Sequence, residues 1–527
     1  MSDQMVLLQA PTPSAPVLPI WSQAQAQAID TQSTATYGVP GQELMEEAGY
    51  TVYETCLALR KPFETILILA GPGNNGGDAL VTARLLHAAG FVPEVWSVRA
   101  EGSSESKLRQ EQRLACEAAG LILHEFRAAK DFAQLSRPLF IIDGLLGLGL
   151  STPLRPGLYQ EALKAAAQLK ASQVLAIDLP SGLCADRWDQ EALLPATCTV
   201  SFGAPKPLHL FAPSSYACGE LRIKTLSFAP QAIGEAESQS PTLLWAPQIA
   251  AHCRPWAHLP ADAHKYTRGH GLIVGGSPGK VGAIFLAAQA ALRCGAGWIS
   301  VAALSEQNAP ARSPSLTYED FALTGEIDAE GLEHFILQRK CKGLVLGPGT
   351  MTSPLHASLM QTLHRLNRDQ GLFLIFDAAA LQHWPEKARG LIFNPERTLL
   401  TPHPGEWRAL DLQHQDLTSL SSLEQAWQLS ERYGVTIFYK SASPFALMSR
   451  EGHRRLWLTN EGDVRLARAG SGDLLAGAAL ALGLAGLSAP WAALAAQSLL
   501  AAAARRATRP NGVHSVLGED ILQELAV

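Results

Sequence analysis

Short apolar runs, each followed by a stretch with helical spacing, recur along almost the whole chain. Thr65–Ala70 (TILILA) reads as a strand and Ala79–Ala89 as a helix closed by Gly90. Leu139–Asp143 and Val174–Asp178 are two more apolar runs, and each ends in an aspartate. This alternation restricts the fold severely, because buried strands joined through helices assemble into parallel sheets with right-handed crossovers. The pattern stops over Ala229–Pro260, which carries Pro230, Pro241, Pro247, Pro255 and Pro260. It then resumes, with strands expected at Gly271–Val274, Trp298–Ala302, Gly343–Leu346, Leu372–Phe376 and Val435–Tyr439 and a helix at Gly282–Cys294. The expected fold class is therefore α/β with a parallel sheet in each half. The expected division is a loose arm over 1–20, a first domain over 21–228, a Pro-rich linker over 229–260 and a second domain over 261–527. A length of 527 residues also exceeds one ordinary core.

Composition excludes several classes. A net charge of -6 argues against a nucleic-acid footprint, so a phosphate-bearing ligand must be held by local amides and a few cations. The cysteines are scattered and none forms a CxxC, which disfavours a zinc site or redox pair and fits thiols in a reducing compartment. No secretory signal is expected at the N-terminus. Leu474–Ala504 holds no charged residue and is long enough to span a membrane. It is rich in Ala and Gly, and Pro490 after Ser488 divides it, so two buried core helices are expected instead.

The sharpest local signal is Gly71-Pro72-Gly73-Asn74-Asn75-Gly76-Gly77-Asp78, placed between a strand and a helix. Glycines there bring bare N–H groups to a ligand, and a helix N-terminus adds positive potential. The spacing is neither the dinucleotide fingerprint nor a P-loop. Asp143 leads into the glycine-rich Gly144–Gly149, and Asp178 into Leu179-Pro180-Ser181-Gly182. Strand C-termini border the ligand crevice of an open parallel sheet, so both carboxylates are expected beside the glycine loop. Lys206, held between Pro205 and Pro207, becomes an acid/base candidate if an aspartate partners it.

LMEEAG (Leu44–Gly49), GPGNNGGD, the Asp143 loop, DLPSG (Asp178–Gly182) and FGAPKP (Phe202–Pro207) together resemble the YjeF N-terminal family, the NAD(P)H-hydrate epimerases. The resemblance covers roughly residues 20–230 and implies a Rossmann-like domain. It implies that Asn74, Asn75, Gly76, Gly77 and Asp78, the loop of Gly147, Leu148, Gly149, Leu150, Ser151, Thr152 and Pro153, and Asp178 line the hydrated-cofactor site. It further implies that Asn75, Asp143 and Ser181 hold K+, and that Asp178 does the acid/base work with Lys206 assisting. Ala79 stands where the family usually has glycine.

In the second half, Ala469-Gly470-Ser471-Gly472-Asp473 opens the apolar helices. Glycine amides at a helix N-terminus form an anion hole, and an Asp just inside can take a proton from a hydroxyl attacking a phosphoryl group. Gly275–Lys280 mimics a Walker A loop, but one residue is missing between the glycines and Val281 replaces the Ser/Thr that magnesium needs. A metal pair of His264 and His270 is the weaker reading, without a carboxylate cluster beside it. With His264–His270, Gly275-Gly276-Ser277, Gly347-Pro348-Gly349 and Pro402-His403-Pro404-Gly405-Glu406, this stretch resembles the YjeF C-terminal family, the NAD(P)H-hydrate dehydratases, over roughly 255–525.

That resemblance implies a ribokinase-like α/β fold, hydrate contacts at Ala283, Gly349, His403 and Asp473, and nucleotide contacts at Lys440, Ser441, Ala442, Ser443, Pro444 and Gly472. Asp473 becomes the base, with ADP or ATP as co-substrate and Mg2+ as cofactor. Two departures stand out. The usual DADAL is Asp377-Ala378-Ala379-Ala380-Leu381, and the usual K-G/A-x-G-T loop is Lys440-Ser441-Ala442-Ser443-Pro444. The expected whole is a bifunctional cofactor-repair enzyme: cytoplasmic, homo-oligomeric, acting on NAD(P)H-hydrates and an adenine nucleotide, with no nucleic-acid or membrane partner. A small-molecule kinase and a binding-only second half are the rivals.

Overall fold

The computed structural model describes residues 17–135, 139–239, 241–246, 249, 261–304, 314–319, 327–410, 416–508 and 513–525. Two compact units emerge, one of Pro19–Thr242 with Thr418–Leu420, the other of Leu243–Leu417 and Ser421–Val527. The division at Thr242/Leu243 falls inside the stretch expected as linker. Part of that stretch is ordered structure: Pro230–Glu237 is a helix, with proline in its first turn where no N–H is needed. It packs on the helix Gln23–Ala35, with Gln25 Nε2 donating to the Ala236 carbonyl at 3.0 Å and Trp21 Nε1 to Glu237 at 2.8 Å. Thr242–Trp245 is a strand. Residues 1–16 of the expected arm, and Pro247, Pro255 and Pro260, lie outside the described residues.

The first unit carries a parallel sheet in the order Leu123–Glu125, Glu94–Ser97, Thr65–Ala70, Leu139–Gly144, Gln173–Ile177, Cys198–Phe202, Glu220–Lys224. Chain order reverses between Thr65–Ala70 and Leu139–Gly144, where Leu69 pairs with Asp143 and Ala70 with Gly144. Ligands of open α/β sheets bind at such a switch point. The glycine loop, the Asp143 loop and Asp178 all leave the sheet at this edge. Asp143 itself lies within its strand, which runs to Gly144.

One expected boundary changes. The helix begins at Asn74, not Ala79, and ends at Ala88. Gly73 is its N-cap, so Asn74–Asp78 are its first turns rather than a free loop. Glycine makes this possible by close approach: a Cβ on Gly76 would lie 2.0 Å from the Gly71 carbonyl oxygen. The methyl of Ala79 is buried against Gly144, where a Cβ would come within 2.6 Å of it. That small neighbour explains how the chain accommodates alanine here.

In the second unit the strands run Thr317–Glu319, Trp298–Ala303, His270–Gly275, Gly343–Leu346, Phe373–Phe376, Thr398–Leu400 and Thr436–Tyr439, all parallel. Phe445–Arg450 and His453–Leu458 continue the sheet antiparallel. The α/β class with parallel sheets therefore holds in both units. The apolar stretch forms two helices, Ser471–Leu484 and Ala489–Arg506, with Pro490 opening the second. Both are largely buried in the core. Gly477 lets the first lie against the helix Gly282–Arg293, since a Cβ there would stand 1.9 Å from the Ala287 carbonyl oxygen. No described helix is long and apolar enough to cross a membrane.

Candidate active sites

In the first unit, a cavity of about 490 Å³ opens at the switch point. Asn74, Asn75, Asp78, Gly147, Leu148, Gly149, Leu150, Asp178 and Lys206 line it. Ser151, Thr152 and Pro153 are exposed and stand outside its wall. Gly76 and Gly77 are buried behind the wall, Gly76 against Gly71 and Gly77 against Met45. Arg109, fully buried, supports the loop from behind by donating Nε to the Gly71 carbonyl at 3.0 Å and pairing with Glu105.

The chemical centre is a buried ion pair. Lys206 Nζ donates to Asp178 Oδ1 at 2.7 Å, Ser201 Oγ at 2.9 Å and the Phe202 carbonyl at 3.0 Å. Ser201 Oγ donates to the same carboxylate oxygen at 2.9 Å. Burial alone would raise the Asp178 pKa, but Lys206 and these hydrogen bonds outweigh it and hold the carboxyl below its usual range. Asp178 sits in the left-handed region at φ 62, a costly conformation for a non-glycine residue that aims its side chain off the strand end. His209 fixes this turn. Its Nδ1 accepts from the Lys206 amide at 3.0 Å, leaving Nε2–H to donate to the Asp178 carbonyl at 2.9 Å. Burial and Lys206 push the His209 pKa down to about 3, so the ring is neutral. Asp78 lies well above the usual carboxylate range through burial and the charges of Asp178 and Asp30.

Asn75, Asp143 and Ser181 meet around the backbone of Leu146. Ser181 Oγ donates to Asp143 Oδ1 at 2.6 Å and its amide donates to Oδ2 at 2.9 Å. Asn75 Nδ2 donates to the Leu146 carbonyl at 3.1 Å, and Leu146 N to Ser181 Oγ at 2.8 Å. The donor set is all oxygen: a carboxylate, a hydroxyl, an amide and a carbonyl. Oxygen donors of this kind suit a hard cation. Burial raises the Asp143 pKa against these hydrogen bonds, a penalty that a bound cation would offset.

Sequence reasoning missed Asp30, Ser201, His209 and Arg109. Only His209 left a trace, three residues after Lys206. Asp30 reaches the cavity from a helix whose position no local motif announces.

In the second unit the centre is a charge cluster. Lys440 Nζ contacts Asp377 Oδ1 at 2.7 Å and Glu406 Oε2 at 3.3 Å. Thr401 Oγ1 also donates to Asp377 Oδ1 at 2.7 Å. Burial would lower the Lys440 pKa, but the two carboxylates prevail and hold it above its ordinary value. Gly470, at φ +91, caps the helix that carries Gly472 and Asp473. A Cβ on Gly472 would lie 3.5 Å from Lys440 Nζ, so these two expected nucleotide contacts do converge. Burial pushes Asp473 up to about 7; Asp377 and Glu406 push the same way and Lys440 opposes them. Asp377 and Glu406 were the residues that sequence reasoning left without a role.

The rest of Lys440–Pro444 is tightly held. Ser441 Oγ donates to the Ser443 carbonyl at 2.7 Å, and Gly462 packs so close that a Cβ would meet the Ala442 carbonyl oxygen at 1.8 Å. Nearby, a cavity of about 530 Å³ is lined by Lys280, Thr350, Ala378, His403 and Glu406 among others, with Asp473 outside its wall. Gly349, at φ +67, abuts Ala283, whose Cβ would be 2.9 Å from a Cβ built on it. His403 Nδ1 accepts from the amides of Gly405 at 2.9 Å and Glu406 at 3.2 Å.

The chain matches known families along most of its length. The YjeF-related protein N-terminus model matches residues 41–208 and the NAD(P)H-hydrate dehydratase model matches residues 271–526. The bifunctional NAD(P)H-hydrate repair enzyme Nnr of Moorella thermoacetica is 30% identical over 520 residues, covering 94% of each chain. That of Escherichia coli K12 is 30% identical over 470 residues, covering 87% of this chain and 84% of its own. The chain belongs to the bifunctional NAD(P)H-hydrate repair enzyme family. A Bacillus subtilis ADP/ATP-dependent NAD(P)H-hydrate dehydratase, co-crystallised with ATP and Mg2+, aligns with 53% of this chain and 95% of its own at TM-score 0.37 and 24% identity. Each unit carries one candidate site built on a lysine–carboxylate pair, buried at Lys206–Asp178 and half-buried on the lysine side at Lys440–Asp377.

Proposed function

We propose that the first unit interconverts the R and S hydrates of NAD(P)H and that the second dehydrates the S form at the expense of ADP or ATP. The observation that carries the second step is Asp473. It sits at a glycine-opened helix N-terminus with its pKa pushed up to about 7, which suits a base working near neutrality. The hydrate's C6 hydroxyl is a poor leaving group. Asp473 takes its proton as the oxygen attacks the nucleotide's terminal phosphoryl group; the amides at Gly470–Gly472 favour the anionic phosphate. Loss of phosphate with a C5 proton restores the nicotinamide double bond. A Mg2+ would arrive on the nucleotide, since that ion keeps phosphate and water ligands. The described cysteines are all buried and free, which supports the cytoplasmic reading.

The direct test mixes purified protein, both epimers of hydrated NADH, and ADP or ATP, and follows the nicotinamide absorbance with phosphate release. Complete recovery from both epimers is expected. A stable phosphorylated product would instead identify a kinase, and epimer exchange without recovery a binding-only second unit.

Asn75, Asp143 and Ser181, with the Leu146 carbonyl, would hold K+ and brace the loop that walls the first cavity. KCl is expected to raise the melting temperature relative to tetramethylammonium chloride. The gain is about 1.4 kcal/mol at a tenfold excess over the dissociation constant. Asn75→Ala is expected to remove that difference, and the effect should grow as rising pH ionises Asp143.

A further inference from the structure

Three carboxyl groups face the first cavity, and only one is paired. Asp178 holds Lys206, whereas Asp30 and Asp78 make no hydrogen bond through their carboxyls among the described residues. Unpartnered carboxyls turned into a mostly apolar cavity, walled by residues such as Trp21, Leu44, Leu148 and Phe228, await a polar ligand. Asp78 comes from the helix after Thr65–Ala70 and Asp178 from the end of Gln173–Ile177, so they approach from either side of the strand Leu139–Gly144. Inversion at one carbon by loss of water from one face and its return on the other needs a proton donor on the first face and an acceptor on the second.

We propose that Asp78 is the general acid of the epimerisation, giving its proton to the C6 hydroxyl, and that the Asp178 carboxylate takes a proton from the water that adds to C6 on the opposite face. This rests on reading the cavity as the epimerase site. The C6–O bond breaks as water leaves, and the N1 lone pair forms a C6=N1 iminium. A second water forms the new C6–O bond and gives its proton to Asp178. Nothing is oxidised or reduced; one water leaves and one enters. Asp78 has lost a proton and Asp178 has gained one, and the opposite inversion runs with the roles exchanged. The surroundings suit these states. Burial and the charges of Asp178 and Asp30 favour the protonated form of Asp78, while Lys206 and Ser201 favour the ionised form of Asp178. Asp30 faces the same cavity, and its carboxylate charge, where ionised, favours the proton on Asp78.

The test measures R-to-S inversion by chiral chromatography at early times in H2 18O, with the enzyme-free rate subtracted. Wild type is expected to place solvent oxygen in the inverted epimer and to slow as rising pH deprotonates Asp78. Asp78→Asn, shown to be folded by its melting curve, is expected to invert about 10²-fold or more slowly and to lose that pH limb. Asp78→Glu is expected to recover part of the rate. Inversion with full retention of the original oxygen overturns the proposal, and so does an Asp78→Asn rate within threefold of wild type. A wild-type chain that interconverts no epimers overturns the reading of the cavity itself, and the proposal with it.

Discussion

Replacing Asp473 by asparagine is expected to lower nucleotide-dependent dehydration of the S-hydrate by about 10²–10⁴-fold, the usual worth of a positioned general base. Single-turnover recovery of the nicotinamide band measures the loss. Wild-type turnover should rise with pH through the region near 7 and level off above it, because the base works deprotonated and its pKa is pushed up to about 7. The same group has a stability signature of predictable sign. The unfolded chain releases this proton near pH ~3.9, whereas the folded chain keeps it to about 7. Between those values the folded state binds the extra proton, so the group's contribution to stability falls as pH rises and is flat above. Asp473→Asn should therefore melt higher than wild type at pH 8 and show no such gain at pH 4. A variant that is inactive and also less stable at pH 8 would point to damage rather than to removal of a strained base.

Replacing Lys206 by methionine is expected to abolish epimerisation and to cost about 3–5 kcal/mol, since it leaves the Asp178 carboxylate buried without its counter-ion. Lys206 is 1% exposed, so solvent does not screen the loss. Denaturant unfolding of the first unit, followed through Trp21 in the cavity wall, would read it. The double variant Asp178→Asn with Lys206→Met should recover much of the stability and none of the activity. That non-additivity separates a coupled pair from two independent contacts. A double-variant loss equal to the sum of the two single losses would mean that the two side chains act apart.

Much of this architecture was legible in the sequence because its signals are local. A strand, a glycine turn and a helix are neighbours in the chain, so Thr65–Ala70 with Gly71–Asp78 announced a ligand-facing loop before any sheet was assembled. The apolar segment divided at Pro490 as proline geometry requires. The strand alternation defined the α/β class, and the order of chemical motifs placed them at strand ends. Local rules were less reliable where backbone met backbone. The helix starts at Asn74 because Gly76 and Gly71 can touch, a contact that spacing does not reveal.

Tertiary structure alone decided which charges meet. Lys206 and Asp178 are 28 residues apart, and Lys440 and Asp377 are 63 apart. Each pair converges only because parallel strands end at one edge of their sheet. Asp30 belonged to no motif, and the motifs holding Asp377 and Glu406 gave those two residues no role, yet together with burial their charges raise the proton affinities of Asp78 and Asp473. The physical reason is that proton affinity depends on distance and burial. The sequence named the groups able to carry protons, and the fold chose the charges that surround them.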